Sequence, residues 1–546
     1  MIKIIQMETK NIIRSKIYFL FLTVNVLIAL VSAWAMSSVE AANNYYRFYA
    51  VLYFELLIAV SSFAFSSFMA GKQNTIANVC FIHAPSAFIG KYLTVFILQL
   101  PVCLFSVIYN LCGIAQYEFN LSYTFSAVWV HGIRTLTALF IFHTAGYILG
   151  YLIKNPLCVL LSVPTLLIFS FLNESLFSFF NPSVTDESII TSLLTTNVMY
   201  LAVREIGYAG PIYDMLDFTK SLFFLFMCLT LILFTCTFIA KKRKIIYSAV
   251  SAIMAIACTV SIFAFIEFSP QSYAYAKEAV LYPESPNSTG DYIEICHGSI
   301  DLGQWSDFSI DIKAVDKNAD GKITFSLDKC FKIESFILNG KEAQYKRDGN
   351  TVSCEAEKQN EISLKYSGRA YYKTDNHGYA DVFTMAHSAC FPVGFAFVPL
   401  TGYADVTSYD LTVNAQNTVV SNLDYASKVT SEGVTFEKVP YRLTGDSSTV
   451  AIFCGYFESF DYNGIPVYTA KYDHLSDYAG NGIQPVYTVP KLDYMPDEGK
   501  DPLAEVTEEE LASIKKIFLI DYACDTRGFP CFFDDVVYRN YCKNRS

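Results

Sequence analysis

Charged side chains are scarce in this sequence. Asp, Glu, Lys and Arg make up 17% of the 546 residues, whereas an average soluble domain holds roughly 25%. Hydrophobic residues make up 53%, so the chain is neither disordered nor one soluble globule. The net charge of −11 excludes a nucleic-acid-binding protein with a basic surface.

Motifs for ATP hydrolysis and for zinc binding are also missing. A P-loop requires GxxxxGK[ST], but none of the five Gly-Lys pairs is followed by Ser or Thr. None of the seven His residues is followed by Glu, so HExxH is absent, and the sequence contains no CxxC. These absences predict that the chain is not an enzyme and holds no cofactor or metal of its own.

Long apolar runs are confined to the first half of the chain. Residues 1–268 carry a net charge of +4, and residues 269–546 carry −15. A helix needs about 20 apolar residues to cross a bilayer. The runs that meet this length predict seven spans, at 17–36, 49–70, 92–114, 132–153, 156–180, 221–240 and 246–267.

The basic residues set the predicted orientation. With the N-terminus in the cytoplasm, the inner segments hold eleven Lys and Arg and the outer connections four, which follows the positive-inside rule. We therefore predict a polytopic α-helical membrane domain followed by an extracytoplasmic domain. Inside the spans, Asn25, Glu55 and Glu174 are candidate residues of a translocation path, because buried polar groups in membranes are costly. Alternatively, the two glutamates pair with Arg134, and His143 is expected to be a hydrogen-bonded packing residue.

The order of these segments has a known counterpart. Residues 1–16, MIKIIQMETKNIIRSK, suit a helix on the membrane surface, residues 71–91 form the longest inner connection, and residues 181–220 form a long outer loop. Over residues 17–244 this arrangement resembles the six-span permease subunit of an ABC-2-type transporter, to which 245–268 adds a seventh span.

The resemblance to this family implies partners and a location. A separate ATPase subunit would bind ATP-Mg and dock on a coupling loop, and two permeases would form a dimer in a bacterial plasma membrane. The loop residues implied are Lys72, Gln73, Asn74, His83 and Lys91.

Residues 291–475, after a linker at 269–290, alternate apolar and polar side chains in short runs. This pattern predicts an all-β, sandwich-like domain. Asn339-Gly340 and Asp348-Gly349 are dipeptides favoured in tight hairpins. An NG hairpin, a strand ending in Tyr-Ser-Gly, then HSACFPVGFAFVPL, YDLTV and GIPVYTAKYD resemble the N-terminal β-domain of aminopeptidase-N-like gluzincins. We expect the catalytic domain of that family to be absent, since HExxH and GxMEN are missing and about 70 residues follow Lys471.

Three further external features have alternative interpretations. Asp316 to Gly321, DKNADG, matches the first half of an EF-hand loop, but position 12 is Leu327 where a carboxylate is needed; we expect a hairpin turn rather than a calcium site. Eight external cysteines predict one to three disulfides, with buried free thiols as the alternative. The candidate pairing group is Cys524, Cys531 and Cys542. Residues 476–546 are interpreted as an acidic linker and an incomplete C-terminal unit.

These features together favour the permease subunit of an ATP-driven exporter, with a non-catalytic external β-domain. The alternatives are a membrane-anchored binding or sensor protein, and the truncated remnant of a permease–metallopeptidase fusion. The residue pattern does not distinguish among peptides, drugs, lipid-linked sugars and antibiotics as the exported class.

Overall fold

The computed structural model divides the chain into two compact units. One comprises Met1–Arg204 and Pro211–Ser269, and the other Glu205–Gly210 and Pro270–Ser546. The structure describes residues 2–38, 44–71, 84–104, 121–169, 205–206, 210–211, 215–240, 243–268, 271–272, 291–317, 319–373, 382–385, 387–391, 395–401, 406–427, 437–447, 449–455, 457–462, 465–470 and 517–519.

The first unit is helical. Its α-helices are α1 (Ile2–Ile13), α2 (Lys16–Ser38), α3 (Asn44–Gly71), α4 (Ala84–Ile97), α5 (Leu121–Ile153), α6 (Ser162–Phe169), α7 (Met215–Ile239) and α8 (Lys244–Phe268). A 3-10 helix, Pro156–Leu161, precedes α6, and the Asn155 side chain caps it by accepting the Leu157 N–H. The chain bends by 73° between α1 and α2, so the predicted surface segment is a helix set apart from the first apolar run.

Four helical segments among the described residues are long and apolar enough to cross a membrane, and there are five if the bent pair α1–α2 counts as one. The four are Ala84–Leu104, Thr135–Ile153, Phe218–Ile239 and Lys244–Phe265. The predicted number of seven spans therefore stays a prediction, because 105–114 and 170–180 lie outside the described residues.

The helix that carries the predicted third span begins before the predicted boundary. The span was predicted to begin at residue 92, after Lys91, and the helix begins at Ala84. The charge of Lys91 suggested an exposed connection, whereas this residue is 5% exposed, next to Gly90 where Ile4 of α1 touches α4. Phe88 and Val95 on the same helix are buried in the core with Phe65 and Tyr147.

The second unit is rich in β-strands. Its strands and short β-pairs, with the two-residue pair β1 and β2, are β1 (Glu205–Ile206), β2 (Gly210–Pro211), β3 (Gln271–Ser272), β4 (Asp291–Asp301), β5 (Ser306–Asp316), β6 (Lys322–Ser326), β7 (Phe331–Leu338), β8 (Lys341–Glu342), β9 (Lys346–Asp348), β10 (Thr351–Glu355), β11 (Gln359–Gly368), β12 (Tyr371–Lys373), β13 (Val382–Thr384), β14 (Ala389–Phe391), β15 (Thr407–Ala415), β16 (Thr418–Ser421), β17 (Asp424–Ser427), β18 (Val439–Ser447), β19 (Ile452–Gly455), β20 (Phe457–Tyr462), β21 (Ile465–Ala470) and β22 (Ile517–Leu519).

Two large sheets form the core of this unit. Eight strands follow the order β17-β18-β15-β4-β5-β11-β7-β8, and six follow β16-β19-β14-β13-β12-β3. Along β5 the burial alternates, which is the period of a strand with one covered face. Phe308 and Phe331 of the larger sheet contact Phe391 of the smaller one, with ring centroids 6.4 Å apart in each pair. The prediction of a β-rich domain after the helical part is confirmed.

Both predicted hairpins occur. Asn339 and Gly340 have φ of 50° and 76° and join β7 to β8, with Leu338 opposite Lys341. Positive φ at both central residues is the signature of a type I′ turn, which Asn-Gly adopts readily. Gly349, with φ of 56°, lies in the turn that pairs Asp348 with Thr351.

Two smaller sheets complete the strand pairing. One has the order β6-β10-β9 and the other β20-β21-β22. Strand β22 pairs in parallel with β21, so the apolar run at 517 adds an edge to the preceding β-hairpin. The rest of the predicted C-terminal unit lies outside the described residues.

Candidate functional site

Most of the residues predicted for a translocation path or a coupling loop lie outside the described part. Those are Glu174, Lys72, Gln73, Asn74 and His83, and so are the disulfide candidates Cys524, Cys531 and Cys542. Glu55 lies in α3, but its side chain is outside the description.

Asn25 is buried at a contact between two helices. Its Nδ2 donates to the Phe21 carbonyl at 2.8 Å, and its Oδ1 accepts from Ser61 Oγ at 2.9 Å. Residue 25 is 1% exposed. The side chain therefore joins α2 to α3, as polar residues between apolar helices commonly do.

Helices α3 and α5 approach each other through glycine. A Cβ at Gly146 would lie 2.4 Å from the Phe63 carbonyl oxygen, and one at Gly150 would lie 2.2 Å from the Ser67 carbonyl oxygen. Only a residue without a Cβ fits there, because those oxygens belong to backbone. The sequence G-x-x-x-G places both glycines on one helix face, and this motif in an apolar helix is a known packing signal.

This close approach brings a buried polar cluster together from three helices. Ser62 and Ser66 come from α3, Gln99 follows α4, and His143 lies on α5; all four are 0% exposed. Ser62 Oγ donates to Gln99 Oε1. Gln99 Nε2 donates to Ser66 Oγ at 2.7 Å and lies 3.2 Å from His143 Nδ1, and Ser66 Oγ lies 2.8 Å from the same nitrogen.

The hydrogen bonds fix the state of His143. An amide nitrogen only donates, so His143 Nδ1 accepts, and the neutral ring carries its proton on Nε2. Among the described residues His143 Nε2 is buried without a hydrogen-bond partner. A buried N–H of this kind is costly unless it meets an acceptor. The arrangement can therefore offer one oriented donor to an oxygen of water or of a ligand.

Aromatic side chains enclose the imidazole. Ring centroids of Tyr92, Phe96 and Tyr147 lie 4.4, 5.3 and 5.8 Å from that of His143. Tyr92 Oη is 2.7 Å from Thr144 Oγ1. These groups hold the ring in one orientation. Its Nε2 is the ring nitrogen that has no hydrogen-bond partner among the described residues.

The interpretation of His143 as a hydrogen-bonded residue agrees with this geometry, but sequence reasoning missed its partners. Gln99 lies 44 residues from His143, and Ser66 lies 77 residues away. One available signal was the G-x-x-x-G motif, which marks the helix face that another backbone approaches.

A second contact joins α1 to the start of α4. Ile4 Cγ2 would lie 2.8 Å from a Cβ at Gly90, so the two helices touch at that glycine. One turn further along α1, Glu8 is 8% exposed, and Lys91 lies near enough to favour its carboxylate electrostatically. Lys91 is therefore buried near Glu8 of α1. The sequence had placed it in the connection between two spans.

The β-rich unit shows no zinc-peptidase geometry in its described part. No three His, Cys, Asp or Glu side chains are grouped as metal ligands among the residues described. His297 Nε2 lies 3.6 Å from Asp311 Oδ2, with both side chains about half exposed. His387 is engaged by the adjacent Gln416 and Asn417 side chains.

The described cysteines of this unit are free thiols. They are Cys296, Cys330, Cys354, Cys390 and Cys454. Burial raises the pKa of Cys354 to about 11 and that of Cys454 to about 12, so these thiols stay protonated and unreactive at neutral pH. With five of the eight external cysteines free, the prediction of one to three disulfides now concerns Cys524, Cys531 and Cys542, which lie outside the described residues and stay a prediction.

Among known proteins, solved structures are similar to part of this chain. No family model and no curated protein matches the chain. A similar structure is the M1 zinc metallopeptidase from Deinococcus radiodurans, with 11% identity and a TM-score of 0.26, covering 33% of this chain and 46% of that chain. Native yeast LTA4 hydrolase is similar with 9% identity and a TM-score of 0.24, covering 33% and 32% respectively.

These similarities are limited in extent. The chain spans less than half the length of these structural relatives. They are of the peptidase type that the external domain resembles in sequence, but TM-scores of this size carry no conclusion about activity. The resemblance to ABC-2-type permeases rests on the sequence alone.

Proposed function

We propose that this chain is the membrane-spanning permease subunit of an ATP-driven exporter. ATP-Mg binds to and is hydrolysed on a separate ATPase subunit, and two permease subunits form the export path across a bacterial plasma membrane. The β-rich unit is an extracytoplasmic, non-catalytic domain of the same chain.

The contact between α1 and α4 carries this proposal. The residues between α3 and α4 are the ones on which the ATPase is expected to dock, and α4 is the first helix after them. A movement at that connection passes directly into α4, and through Ile4, Gly90, Glu8 and Lys91 into α1. A sensor that uses its helices only as an anchor needs no such buried charged contact, whose formation costs desolvation.

The polar cluster around His143 supports the same proposal. An ionisable residue within a membrane-spanning helix is by default a candidate for a functional site. Helices α3 and α5 and the residue Gln99 that follows α4 all contribute to the cluster, so relative movement of these segments would alter the hydrogen bonds that orient the His143 ring.

The test is reconstitution of the full-length chain with its ATPase subunit in lipid vesicles. The measured quantities are the ATPase rate with and without the chain. We expect the chain to stimulate ATP hydrolysis, and Glu8→Gln to lower that stimulation by about threefold or more, because the buried Lys91 then loses the favourable electrostatic effect of the Glu8 carboxylate. The double variant Glu8→Gln/Lys91→Met should recover part of the stimulation, and Lys10→Met, which alters an exposed residue of the same helix, should behave as the native chain.

Two results would contradict the proposal. One is a purified ATPase subunit whose rate is the same with and without the chain in vesicles. The other is normal stimulation by Glu8→Gln at full protein yield. Binding of an external peptide or polymer by vesicles that lack any ATPase would favour the membrane-anchored sensor instead.

A further inference from the structure

Two acidic side chains face each other in the β-rich unit. Asp291 begins β4, Asp316 ends β5, and the two residues are directly opposite in the antiparallel ladder. They are 5% and 3% exposed. Opposed side chains in such a ladder have Cβ atoms about 4.5–5.5 Å apart, and like charges at that distance repel each other.

The Asp316 carboxylate accepts from the turn between β5 and β6, and the Asp291 carboxylate accepts from strand β6. The Gly321 N–H donates to Asp316 Oδ2 at 2.9 Å, and the Thr324 N–H donates to Asp291 Oδ2 at 2.8 Å. Gly321 has φ of 77°, which allows the sharp turn. Burial raises the pKa of Asp291, the Thr324 N–H lowers it, and the Asp316 and Asp320 carboxylates raise it, so further acidic side chains lie near Asp291.

One oxygen of the Asp316 carboxylate is not accounted for by these hydrogen bonds. Asp316 Oδ1 is buried and has no hydrogen-bond partner among the described residues. An ionised oxygen removed from water needs compensation by a hydrogen-bond donor or a cation. Its companion oxygen already receives the Gly321 N–H, which orients the unpartnered Oδ1 within the same turn.

The residues also explain why an ordinary EF-hand is not formed. At position 12 of the loop, Leu327 is 0% exposed. Asp328, the next residue, accepts from Tyr372 Oη and from the Cys330 N–H, so it is committed to a different network. Asp291 takes the place of the missing downstream carboxylate, because the β4–β5 register brings it opposite the first residue of the loop.

We propose that Asp291 and Asp316 bind a hard divalent cation, Ca²⁺, at the end of the β4–β5 ladder. With two carboxylates and no third grouped His, Cys, Asp or Glu in the described part, the other ligands are main-chain oxygens and water. Ca²⁺ accepts six to eight oxygen ligands in flexible geometry, whereas zinc prefers nitrogen and sulfur. The site belongs to the β-rich unit and does not depend on the transport proposal.

The experiment is Ca²⁺ titration of the full-length chain in detergent, followed by calorimetry and by thermal unfolding of the β-rich unit. We expect a Kd of about 0.1–1 mM, as in extracellular calcium modules, and an unfolding temperature that rises with Ca²⁺. Asp316→Asn should weaken Ca²⁺ binding at least tenfold. The matched control is Asp307→Asn, because Asp307 lies opposite Asp301 on the same ladder but is exposed; it should bind Ca²⁺ as the native chain does.

Three results would overturn the proposal. The native chain could give no heat and no thermal shift at about 5 mM Ca²⁺, well above the expected Kd; this measurement needs no variant to fold. Asp316→Asn could bind Ca²⁺ with native affinity, which would place the ion elsewhere. Finally, Asp316→Asn could stabilise the Ca²⁺-free chain while Ca²⁺ has no effect on either protein, which would show that the pair is relieved by a proton and not by a cation.

Discussion

Substitution of Gly150 by alanine tests the close packing of α3 on α5. The added Cβ would lie 2.2 Å from the Ser67 carbonyl oxygen and 2.5 Å from the Ser67 Cα. Ordinary contact begins near 3.4 Å, so the two backbones must separate by roughly 1 Å, which forfeits a large part of the dispersion energy between them.

The expected magnitude combines two opposing effects. Overpacking costs about 1–3 kcal/mol, and a Cβ only 2.2 Å from a backbone oxygen places this substitution at about 2–3 kcal/mol of that range, whereas alanine is favoured over glycine in a helix by about 1 kcal/mol. The net expectation for Gly150→Ala is a loss of about 1–2 kcal/mol. In a unit of this size that loss lowers the unfolding temperature by about 2–8 °C.

Gly71→Ala is the matched control because Gly71 faces the same position from the other helix. A Cβ there would lie 3.5 Å from the Gly150 carbonyl oxygen, which is an ordinary contact, so its stability should be unchanged or slightly higher. The assay is the loss of helical circular dichroism on heating the full-length chain in detergent. If Gly150→Ala unfolds at or above the native temperature, as Gly71→Ala does, the backbones are not in close contact and the reasoning is refuted.

Three further measurements test other parts of the structure. Gln99→Leu should lower the helical unfolding temperature by several degrees, because it removes the buried acceptor of Ser62 and the amide donor to Ser66 and His143; an unchanged temperature would contradict the network. In the folded chain Cys296 and Cys454 should resist a thiol reagent at pH 7.5 and react after unfolding, as mass spectrometry can show; rapid labelling of both while folded would be inconsistent with their burial. The hydrogen bond from Arg442 lowers the pKa of Asp410, so its contribution to stability is present above the unfolded pKa near 4 and is lost as pH falls through the lower folded value. Because both side chains are about half exposed, Asp410→Asn should cost about 0.5 kcal/mol or less at pH 7, and a much larger loss in urea unfolding would show a stronger role.

Local patterns in the sequence were sufficient for much of the fold. The apolar runs predicted helices, since an uncharged stretch of that length has few other stable states, and the Asn339-Gly340 turn was found because its two positive φ values suit those residue types. Alternation along β5 was also readable, because it depends only on the two-residue period of a strand.

Helix α4 and the cysteines show where local reasoning fails. Lys91 was interpreted as the end of a loop because charge usually marks solvent, but it is buried in α4, near enough to Glu8 of α1 to favour that carboxylate electrostatically. The thiols of Cys296 and Cys454 lie in the core, where they pack as small apolar groups, and an even cysteine count contains no information about that environment.

The sequence by itself therefore determined the two halves of the chain, the helical and strand periods, and the turns, because each depends on residues that are neighbours along the chain. Only the tertiary structure decided which polar groups meet. His143 faces Ser66 and Gln99 because glycine allows two backbones to touch, and Asp291 faces Asp316 because strand register sets cross-strand partners. Such contacts depend on packing between segments that are distant in the sequence. Whether a buried oxygen or N–H has a partner can be judged only in the folded chain.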